Sequence, residues 1–259
     1  MEAFFDTPSS PKKGSQTSRP IKYHEIQSIV RMGLSAPTGD NAQHWRFTWN
    51  DQTLAIFYVK ELGEHALNNN HHATYLSLGC LLESMSISAS SFSLEVSYQL
   101  CTECEEDKPI ALLTFNRSFK KTDPLVSEVL RRQTVRGALS REKMSAELKL
   151  LLDREVEKFE NCRLAIYDEK DKQLLDYLLF CDELMWKNKK VSVDLLKWVR
   201  LSEKEISETR DGMPWQTLEV NTVERFMLRL FRVYPSVISL LWYLGFKFKI
   251  NFLTKKAFR

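Results

Sequence analysis

The chain has 259 residues, of which 43% are hydrophobic and 27% are charged. This length and composition suffice for a hydrophobic core that needs neither disulfides nor a metal ion. The formal net charge of +3 is too small to indicate nucleic-acid binding by itself. The five cysteines are an odd number at scattered positions, which is more typical of a reducing compartment than of a disulfide framework.

The N-terminal segment is rich in Ser, Thr, Pro and Lys, and we predict a flexible arm over residues 1–20. Its lysines follow its few apolar residues, so we do not expect a signal peptide. The longest apolar run, Val233–Phe246, is shorter than the roughly 20 residues that span a bilayer. It is also interrupted by Pro235 and Ser239. The sequence therefore predicts a cytoplasmic protein without a transmembrane segment.

The first predicted helix, Ile21–Ala36, has apolar residues at offsets of three, four and eight, which define one helix face. That face is formed by Ile26, Ile29, Val30 and Leu34. Pro37 is predicted to end this helix, since proline disfavours the helical conformation of the residue before it. A polar loop, Thr38–His44, follows. Alternating apolar and polar residues then predict a hairpin of two strands, Trp45–Trp49 and Thr53–Val59.

A second predicted helix, His71–Ser90, is apolar on nearly every side at its centre, which is typical of a helix enclosed in a core. Strands are predicted next at Leu94–Leu100 and Pro109–Phe115. Asp123-Pro124 is a favourable helix start, and this third helix is predicted to run to about Arg132.

The rest of the chain is predicted to be mainly helical. The predicted elements are a helix over Ser145–Phe159, a short strand over Arg163–Tyr167, a helix over Lys170–Trp198 and an apolar, basic stretch over Val223–Leu244. Strands and helices do not alternate regularly, and neither a Gly-x-Gly-x-x-Gly nor a Gly-Lys-Ser/Thr motif occurs. The sequence therefore predicts an α+β fold, with an antiparallel or mixed sheet flanked by helices.

Three patterns are weak evidence for binding sites. Cys101-x-x-Cys104 lacks the second pair that a zinc site needs, so two free thiols in a loop are the favoured interpretation. His71-His72 also lacks partners at workable spacing and is interpreted as a polar helix cap or pocket wall; no metal site is predicted. The alternation in Phe246–Ile250 fits either a membrane-docking segment or a strand with one solvated face, and the strand is favoured.

The loop after the first helix has a composition that suits a ligand. Thr38, Asn41 and Gln43 place a hydroxyl and two amides close together, and Gly39 permits close approach of the backbone. Amides both donate and accept, which suits the edge of a flat ring that carries carbonyl oxygens and nitrogens. On composition alone, a loop that simply hydrogen-bonds to itself is equally consistent.

A second polar motif contains Arg132 and Arg136, with the hydroxyl of Thr134 between them. Planar guanidinium groups bind phosphate through two hydrogen bonds each, and the hydroxyl adds a donor. The alternative is a basic helix end, at which arginines satisfy terminal carbonyls.

Together these motifs resemble those of nitroreductase-family flavoproteins. The segment Ala36–Trp45 resembles their Ala-Pro-Ser-Gly-x-Asn-x-Gln-Pro-Trp loop, and Arg132-x-Thr134-x-Arg136 resembles their Arg-x-Ser-x-Arg phosphate motif. The stretch Leu78–Glu83 is similar to part of their Ser-x-Gly-x-x-x-Glu-Asn helix.

The order of the motifs resembles one branch of this family. In simpler members the arginine motif precedes the loop, whereas here it follows the loop. This order resembles the single-chain, duplicated branch, the Acg-type and ThiF-associated nitroreductases, in which two halves of one chain mimic the usual homodimer. Asp211–Pro214 following Trp198–Ser202 also resembles that branch. The resemblance implies a nitroreductase-like pseudo-dimer, with a first half over 21–122 and a second, incomplete half over 123–259.

The resemblance also implies a cofactor and a reaction. The implied FMN contacts are Pro37, Thr38, Gly39, Asn41 and Gln43 to ribityl chain and ring, and Arg132, Thr134 and Arg136 to the phosphate. The implied activity is that of an oxidoreductase that moves a hydride from NAD(P)H via the flavin to an electron-poor small-molecule acceptor. Hydride transfer requires no side-chain acid or base, so no catalytic residue is predicted.

The chain departs from the family pattern at two places. His44 replaces the usual proline of the loop, and the sequence stops at Arg259, before a further strand and helix of the family. We therefore expect a shortened second half, in a monomeric pseudo-dimer, in a homodimer or in a domain completed by another chain. Two other functions stay open. One is an FMN-sequestering protein without turnover; the other is a non-enzymatic module that docks on a partner or a membrane through Val233–Arg259.

Overall fold

The protein, represented by a computed structural model, is described over residues 19–101, 107–136, 142–167 and 171–258. Most of the predicted N-terminal arm and Cys104 lie outside these ranges. Among the helices within them, none is both long enough and apolar enough to cross a membrane.

The chain forms two compact units. The first, called the sheet unit, comprises Met1–Thr134 and Lys197–Trp215, and the second, called the helical unit, comprises Val135–Leu196 and Gln216–Arg259. The halves implied by the resemblance, 21–122 and 123–259, are defined by motifs rather than by contacts, and they stay a prediction.

The regular elements follow in chain order. The helices are α1 (Tyr23–Gly33), α2 (Lys60–Gly63), α3 (His72–Ser90), α4 (Val126–Val129), α5 (Ala146–Val156), α6 (Lys172–Lys187), α7 (Lys189–Lys197), α8 (Glu203–Thr209), α9 (Thr222–Val233), α10 (Ser236–Leu241) and α11 (Lys247–Phe258). The strands are β1 (Trp45–Trp49), β2 (Thr53–Tyr58), β3 (Leu94–Leu100), β4 (Pro109–Arg117), β5 (Val199–Arg200) and β6 (Met213–Pro214).

The main sheet has four antiparallel strands in the order β1-β2-β4-β3. β1 and β2 form the predicted hairpin, with Trp45 opposite Tyr58 and Trp49 opposite Leu54. Alternate residues of both strands are buried, because successive side chains of a strand point to opposite faces. The predicted α+β fold with an antiparallel sheet is therefore confirmed. Its nitroreductase-like and pseudo-dimeric character stays a prediction.

The core of the sheet unit joins the sheet to α1 and α3. Ile26 and Ile29, on the predicted face of α1, are fully buried against this core. So are Phe47 of β1 and Leu54 of β2. Full burial of each side chain of this size stabilises the fold by about 1.5–3 kcal/mol, so this core is the main source of the unit's stability.

α3 is buried on one side only. Leu78, Leu81 and Met85 belong to the core, whereas Leu76 is 74% exposed and an added Cβ on Gly79 would meet nothing within 4 Å. The helix therefore belongs in the core, as predicted, although only one side of it is covered. The composition of a helix sets how much apolar surface it carries, but the number of neighbouring elements decides how much of that surface is covered.

A buried ion pair fixes the start of α1. Arg117, the last residue of β4, donates from Nη1 and Nη2 to the two carboxylate oxygens of Glu25, at 3.1 and 2.7 Å. It also donates to three backbone carbonyls, those of Arg19, Pro20 and Phe92, so all five guanidinium N–H groups are engaged. Burial raises the pKa of Glu25, but the hydrogen bonds from Arg117 and from a backbone N–H outweigh burial and leave that pKa below its usual value.

The helical unit packs around a smaller core formed by Leu196, Phe231 and Ile238. Its helix α9 begins with a reciprocal cap. The side chain of Asn221 accepts from the N–H of Glu224 at 2.9 Å, and the carboxylate of Glu224 accepts from the N–H of Asn221 at 3.0 Å. Such caps satisfy backbone donors that a helix start leaves unpaired.

The strand favoured for Phe246–Ile250 is wrong, because most of this segment belongs to helix α11. Lys247 pairs with Glu183 of α6 at 2.8 Å, and Ile250 is buried. Thr254 donates a hydrogen bond to Asp182 of the same helix. Spacings of three and four residues place these contacts on one side of a helix, whereas alternation alone had favoured a strand.

Other boundaries in the second half also differ from prediction. The predicted strand Arg163–Tyr167 forms no strand. The helix predicted to reach about Arg132 is limited to the four residues of α4, and the helix predicted over Lys170–Trp198 is interrupted at Asn188. The break at Pro235, between α9 and α10, agrees with the sequence.

Candidate functional site

The loop between α1 and β1 has an unusual backbone. Gly39–Asn41 forms a single tight turn, within which Asp40 and Asn41 have φ angles of 52° and 57°. Asp and Asn adopt this left-handed conformation more readily than other side chains, but each still requires support from its surroundings. The loop therefore has a shape that its neighbours must hold.

The start of the loop is held by the arginine motif. Nε and Nη2 of Arg132 donate to the carbonyl oxygen of Ser35 at 3.1 and 3.0 Å. The hydroxyl of Ser35 in turn donates to the carbonyl of Val129, in α4, at 2.9 Å. Two motifs separated by 97 residues in sequence are thus in direct contact. This contact agrees in part with the alternative interpretation of the arginines as a basic helix end. Arg132 satisfies a carbonyl just beyond the end of helix α1.

Towards the part of the chain that the structure describes, Arg132 uses only some of its donors. Its Nη1 donates to Thr134 Oγ1 at 3.0 Å. Together with the two bonds to Ser35, this contact uses three of the five guanidinium N–H groups. The hydroxyl hydrogen of Thr134 stays available because the oxygen is the acceptor. Both side chains are exposed, which permits an anion to approach them.

Arg136 belongs to the helical unit, and its side chain is exposed. Its predicted phosphate contact stays a prediction.

The middle of the loop is held by the segment around Gly212. Asn41 Nδ2 donates to the carbonyl of Gly212 at 3.1 Å, and the N–H of Gly212 donates to the carbonyl of Asn41 at 3.3 Å. Gln43 Nε2 donates to Asn41 Oδ1 at 3.1 Å. The two amides predicted to face a ring therefore lie side by side, and Asn41 spends part of its capacity on the protein itself.

Gly212 is required by its own surroundings. Its φ is 72°, and an added Cβ would lie 2.5 Å from the carbonyl oxygen of Trp198. Around it, Arg200 donates to Asp211 Oδ1 from Nη2 at 2.6 Å and to Thr209 Oγ1 from Nε at 2.9 Å. Sequence reasoning did not assign a site role to these residues. The Asp-Gly pair in a polar segment was the available signal, since such pairs mark tight turns.

Thr38 and Gly39 are half-buried. An added Cβ on Gly39 would lie at ordinary contact distances, 3.5 Å from His65 Nε2 and 3.8 Å from Ala73 Cβ, so the space at this position does not require glycine. Thr38 Oγ1 is buried, and no hydrogen-bond partner reaches it within the described part of the chain. A buried unpaired hydroxyl is unfavourable by about 1–3 kcal/mol, which points to a polar atom of a water or ligand at this position. Pro37, half-buried, precedes it.

His44 is the residue that replaces the family's proline, and it is 3% exposed. Its ring centroid lies 4.1 Å from that of Trp45 and 5.4 Å from that of Tyr58. Burial lowers the pKa of His44 to about 4, the positive charge that His65 can carry lowers it further, and a contact with the Ala42 backbone opposes both. Neither ring nitrogen reaches hydrogen-bonding geometry with a described residue. His44 is therefore neutral at physiological pH.

The helix start next to this loop is capped by asparagine rather than by histidine. Asn68 Oδ1 accepts from the N–H of Ala73 at 3.1 Å, and its Nδ2 donates to Thr74 Oγ1 at 2.9 Å. His71 instead packs edge-on against Tyr58, with ring centroids 5.4 Å apart. The described residues contain no group of three His, Cys, Asp or Glu side chains that could hold a metal ion.

The residues of this site fit a phosphate-bearing, flat polar group in part. Arg132 and Thr134 supply donors, Thr38 supplies a buried hydroxyl in need of a partner, and Gln43 and Asn41 supply amides. All five lie in the sheet unit. No protein-family model matches the chain, and no curated protein matches it either. The family therefore stays a resemblance that rests on the motifs themselves.

Proposed function

We propose that the protein is an FMN-dependent oxidoreductase that uses NAD(P)H as reductant and an electron-poor small molecule as acceptor. The observation that carries this proposal is the contact between Arg132 and the carbonyl of Ser35. It joins the two motifs that the resemblance assigns to the phosphate and to the ring. The contact brings the two motifs together, as a single cofactor site would require.

The roles of the chain's own groups follow from their chemistry. Arg132 and Thr134 would hold the phosphate through the donors that they retain. Thr38, Asn41 and Gln43 would orient the ribityl chain and ring edge through hydroxyl and amide groups. The flavin, when bound, supplies the hydride chemistry, and the protein supplies binding and orientation.

The visible absorption spectrum of the purified full chain tests the proposal. A flavin spectrum that anaerobic NADPH or NADH bleaches, and that an electron-poor nitroaromatic restores, is the expected result. A flavin spectrum that neither nucleotide bleaches would overturn the oxidoreductase and favour FMN sequestration. A colourless chain that binds no added FMN would show that FMN is not the cofactor.

Arg132→Ala tests the phosphate contact. Hydrogen bonds to charged groups contribute about 1.5–3 kcal/mol, so FMN binding should weaken roughly 10- to 100-fold. Arg131→Ala is the matched control. Its guanidinium pairs with Glu128 at 3.2 Å on an exposed surface, and the variant should bind FMN normally. Equal weakening by both variants would show that only general positive charge matters.

Thr38→Val tests the buried hydroxyl. The variant retains shape but removes the oxygen, so FMN affinity should fall about tenfold if that oxygen contacts the ligand. The free energy of unfolding without FMN should stay equal or rise, because an unpaired buried group is lost. A variant with unchanged affinity would place the hydroxyl outside the ligand site.

A further inference from the structure

The C-terminal part of the helical unit carries a concentration of positive charge. The 44 residues of Gln216–Arg259 include eight Lys and Arg but only two Asp and Glu, whereas the whole chain has a net charge of +3. The excess of six basic residues here exceeds the net charge of the chain, so the remaining 215 residues are net negative. The net positive charge of the chain therefore comes from this segment.

The same segment exposes large apolar side chains on regular helices. On α9, Val223, Phe226 and Val233 are 71%, 64% and 65% exposed. Offsets of three and seven residues place them along one stripe of the helix. On α11, Phe248 and Phe252 are 78% and 66% exposed and lie one turn apart. These side chains point away from the small core, which uses Phe231 and its neighbours instead.

The two exposed stripes begin side by side. Lys249 of α11 pairs with Glu224 of α9 at 2.9 Å, and each partner is the chain neighbour of an exposed apolar residue, Phe248 or Val223. The pair also neutralises one of the two acidic groups in the segment. The segment thus joins two helices that each expose aromatic or aliphatic side chains, and its net charge is positive.

We propose that the exposed sides of α9 and α11 dock on an anionic lipid surface. Amphipathic helices with aromatic residues on one side and Lys or Arg around them bind in the interface of such membranes, and each basic residue near the surface adds attraction. A second copy of the chain is a poorer occupant. A two-fold interface would set this basic surface against itself. The docking is independent of the flavin site.

Co-sedimentation of the full chain with vesicles tests the docking. Phosphatidylcholine vesicles that contain phosphatidylserine should pellet the protein, pure phosphatidylcholine vesicles should pellet much less, and added salt should release it. Phe226→Ser combined with Phe248→Ser should weaken binding about tenfold or more, because the anchoring rings are lost.

The matched control is Phe119→Ser. Phe119 is a fully exposed phenylalanine of the sheet unit that precedes two lysines, so it has the same composition without the helical surface, and its loss should leave vesicle binding unchanged. Circular dichroism establishes that each variant keeps its helices. Binding that is indifferent to phosphatidylserine, or to the Phe226 and Phe248 changes in a folded variant, overturns the proposal. The proposal is also overturned if the protein forms a dimer without lipid and the double variant is monomeric. A second copy of the chain would then cover the exposed sides of α9 and α11.

Discussion

The two units of the chain differ in where they keep their apolar side chains. Among the described residues, the helical unit contains only four buried apolar residues, and these are Leu196, Phe231, Ile238 and Ile250. Most of the large exposed apolar side chains belong to that unit, whereas nearly all of the buried ones belong to the sheet unit. The sheet unit therefore depends on its interior for stability, while much of the apolar surface of the helical unit is free to serve binding.

The largest expected effect is in the interior of the sheet unit. Arg117→Met removes the partner of the buried Glu25 carboxylate and should lower the free energy of unfolding by about 3–5 kcal/mol, because an uncompensated charge stays buried. Urea unfolding followed by tryptophan fluorescence measures this change.

Two further variants control the experiment on Arg117. The double variant Arg117→Met, Glu25→Leu should recover much of the loss, since the stranded charge is gone. Lys120→Met breaks the ion pair with Glu95, whose side chains are 74% and 49% exposed, and should change stability by less than about 1 kcal/mol. Equal losses for Arg117 and Lys120 would remove the distinction between buried and exposed pairs.

The stability that the small core of the helical unit contributes can be measured with two phenylalanines of α9. Phe231 is 1% exposed, whereas Phe226, on the same helix, is 64% exposed. Phe231→Ala should lower the free energy of unfolding by about 3 kcal/mol, and Phe226→Ala should change it by less than about 0.5 kcal/mol. Far-ultraviolet circular dichroism during urea unfolding reports both values. Similar values for the two variants would mean that the small core contributes no stability and that the contrast between the units is greater still.

The sequence predicted the sheet unit better than the helical unit, and the reason is physical. In Trp45–Trp49 and Thr53–Tyr58, burial on one face imposes a period of two that is visible in the residues themselves. Phe246–Ile250 shows the same alternation although most of it is helical. Its lysines, Lys247 and Lys249, form ion pairs with carboxylates on two other helices. Those partners are distant in sequence, and no local pattern indicates them.

The site was predictable as a set of motifs but not as a set of contacts. The loop and the arginines were recognisable from residue types, yet the bond between Arg132 and Ser35 depends on how α4 ends. The support of Asn41 by Gly212 joins residues 171 positions apart. His44 is buried because it packs against Tyr58 across the hairpin. The sequence showed only that a histidine stands where the similar loops have proline, which does not indicate burial.

His44 gives the sheet unit a predicted sensitivity to acid. An unfolded imidazole takes up a proton near pH 6.5, but the buried one does so only near pH 4. Because the unfolded state binds the proton first, this contribution to stability is complete above pH 6.5 and is lost as the pH falls towards 4. The loss is about 1.4 kcal/mol for each pH unit, or about 2 kcal/mol at pH 5.

Urea unfolding between pH 7 and pH 5 measures this slope. His44→Leu, of similar volume, should flatten it, since no proton binds to leucine. His24→Leu, which changes an exposed histidine of α1, should leave the slope as it is. A slope that survives in His44→Leu would show that His44 is not the group that binds the proton.

The smallest expected effect on stability concerns Arg132. Like Arg117, it donates to a backbone carbonyl, but its side chain is exposed. Arg132→Ala should lower the free energy of unfolding without FMN by only about 1 kcal/mol, since water replaces the lost donors. Arg117→Met is the comparison, because there a buried carboxylate loses its partner. A loss for Arg132 as large as that for Arg117 would show that its guanidinium is committed to the fold, and the donors assigned to a phosphate would then serve structure. A small loss combined with weakened FMN binding would instead show that an exposed group of the sheet unit serves binding, as we propose for the exposed side chains of the helical unit.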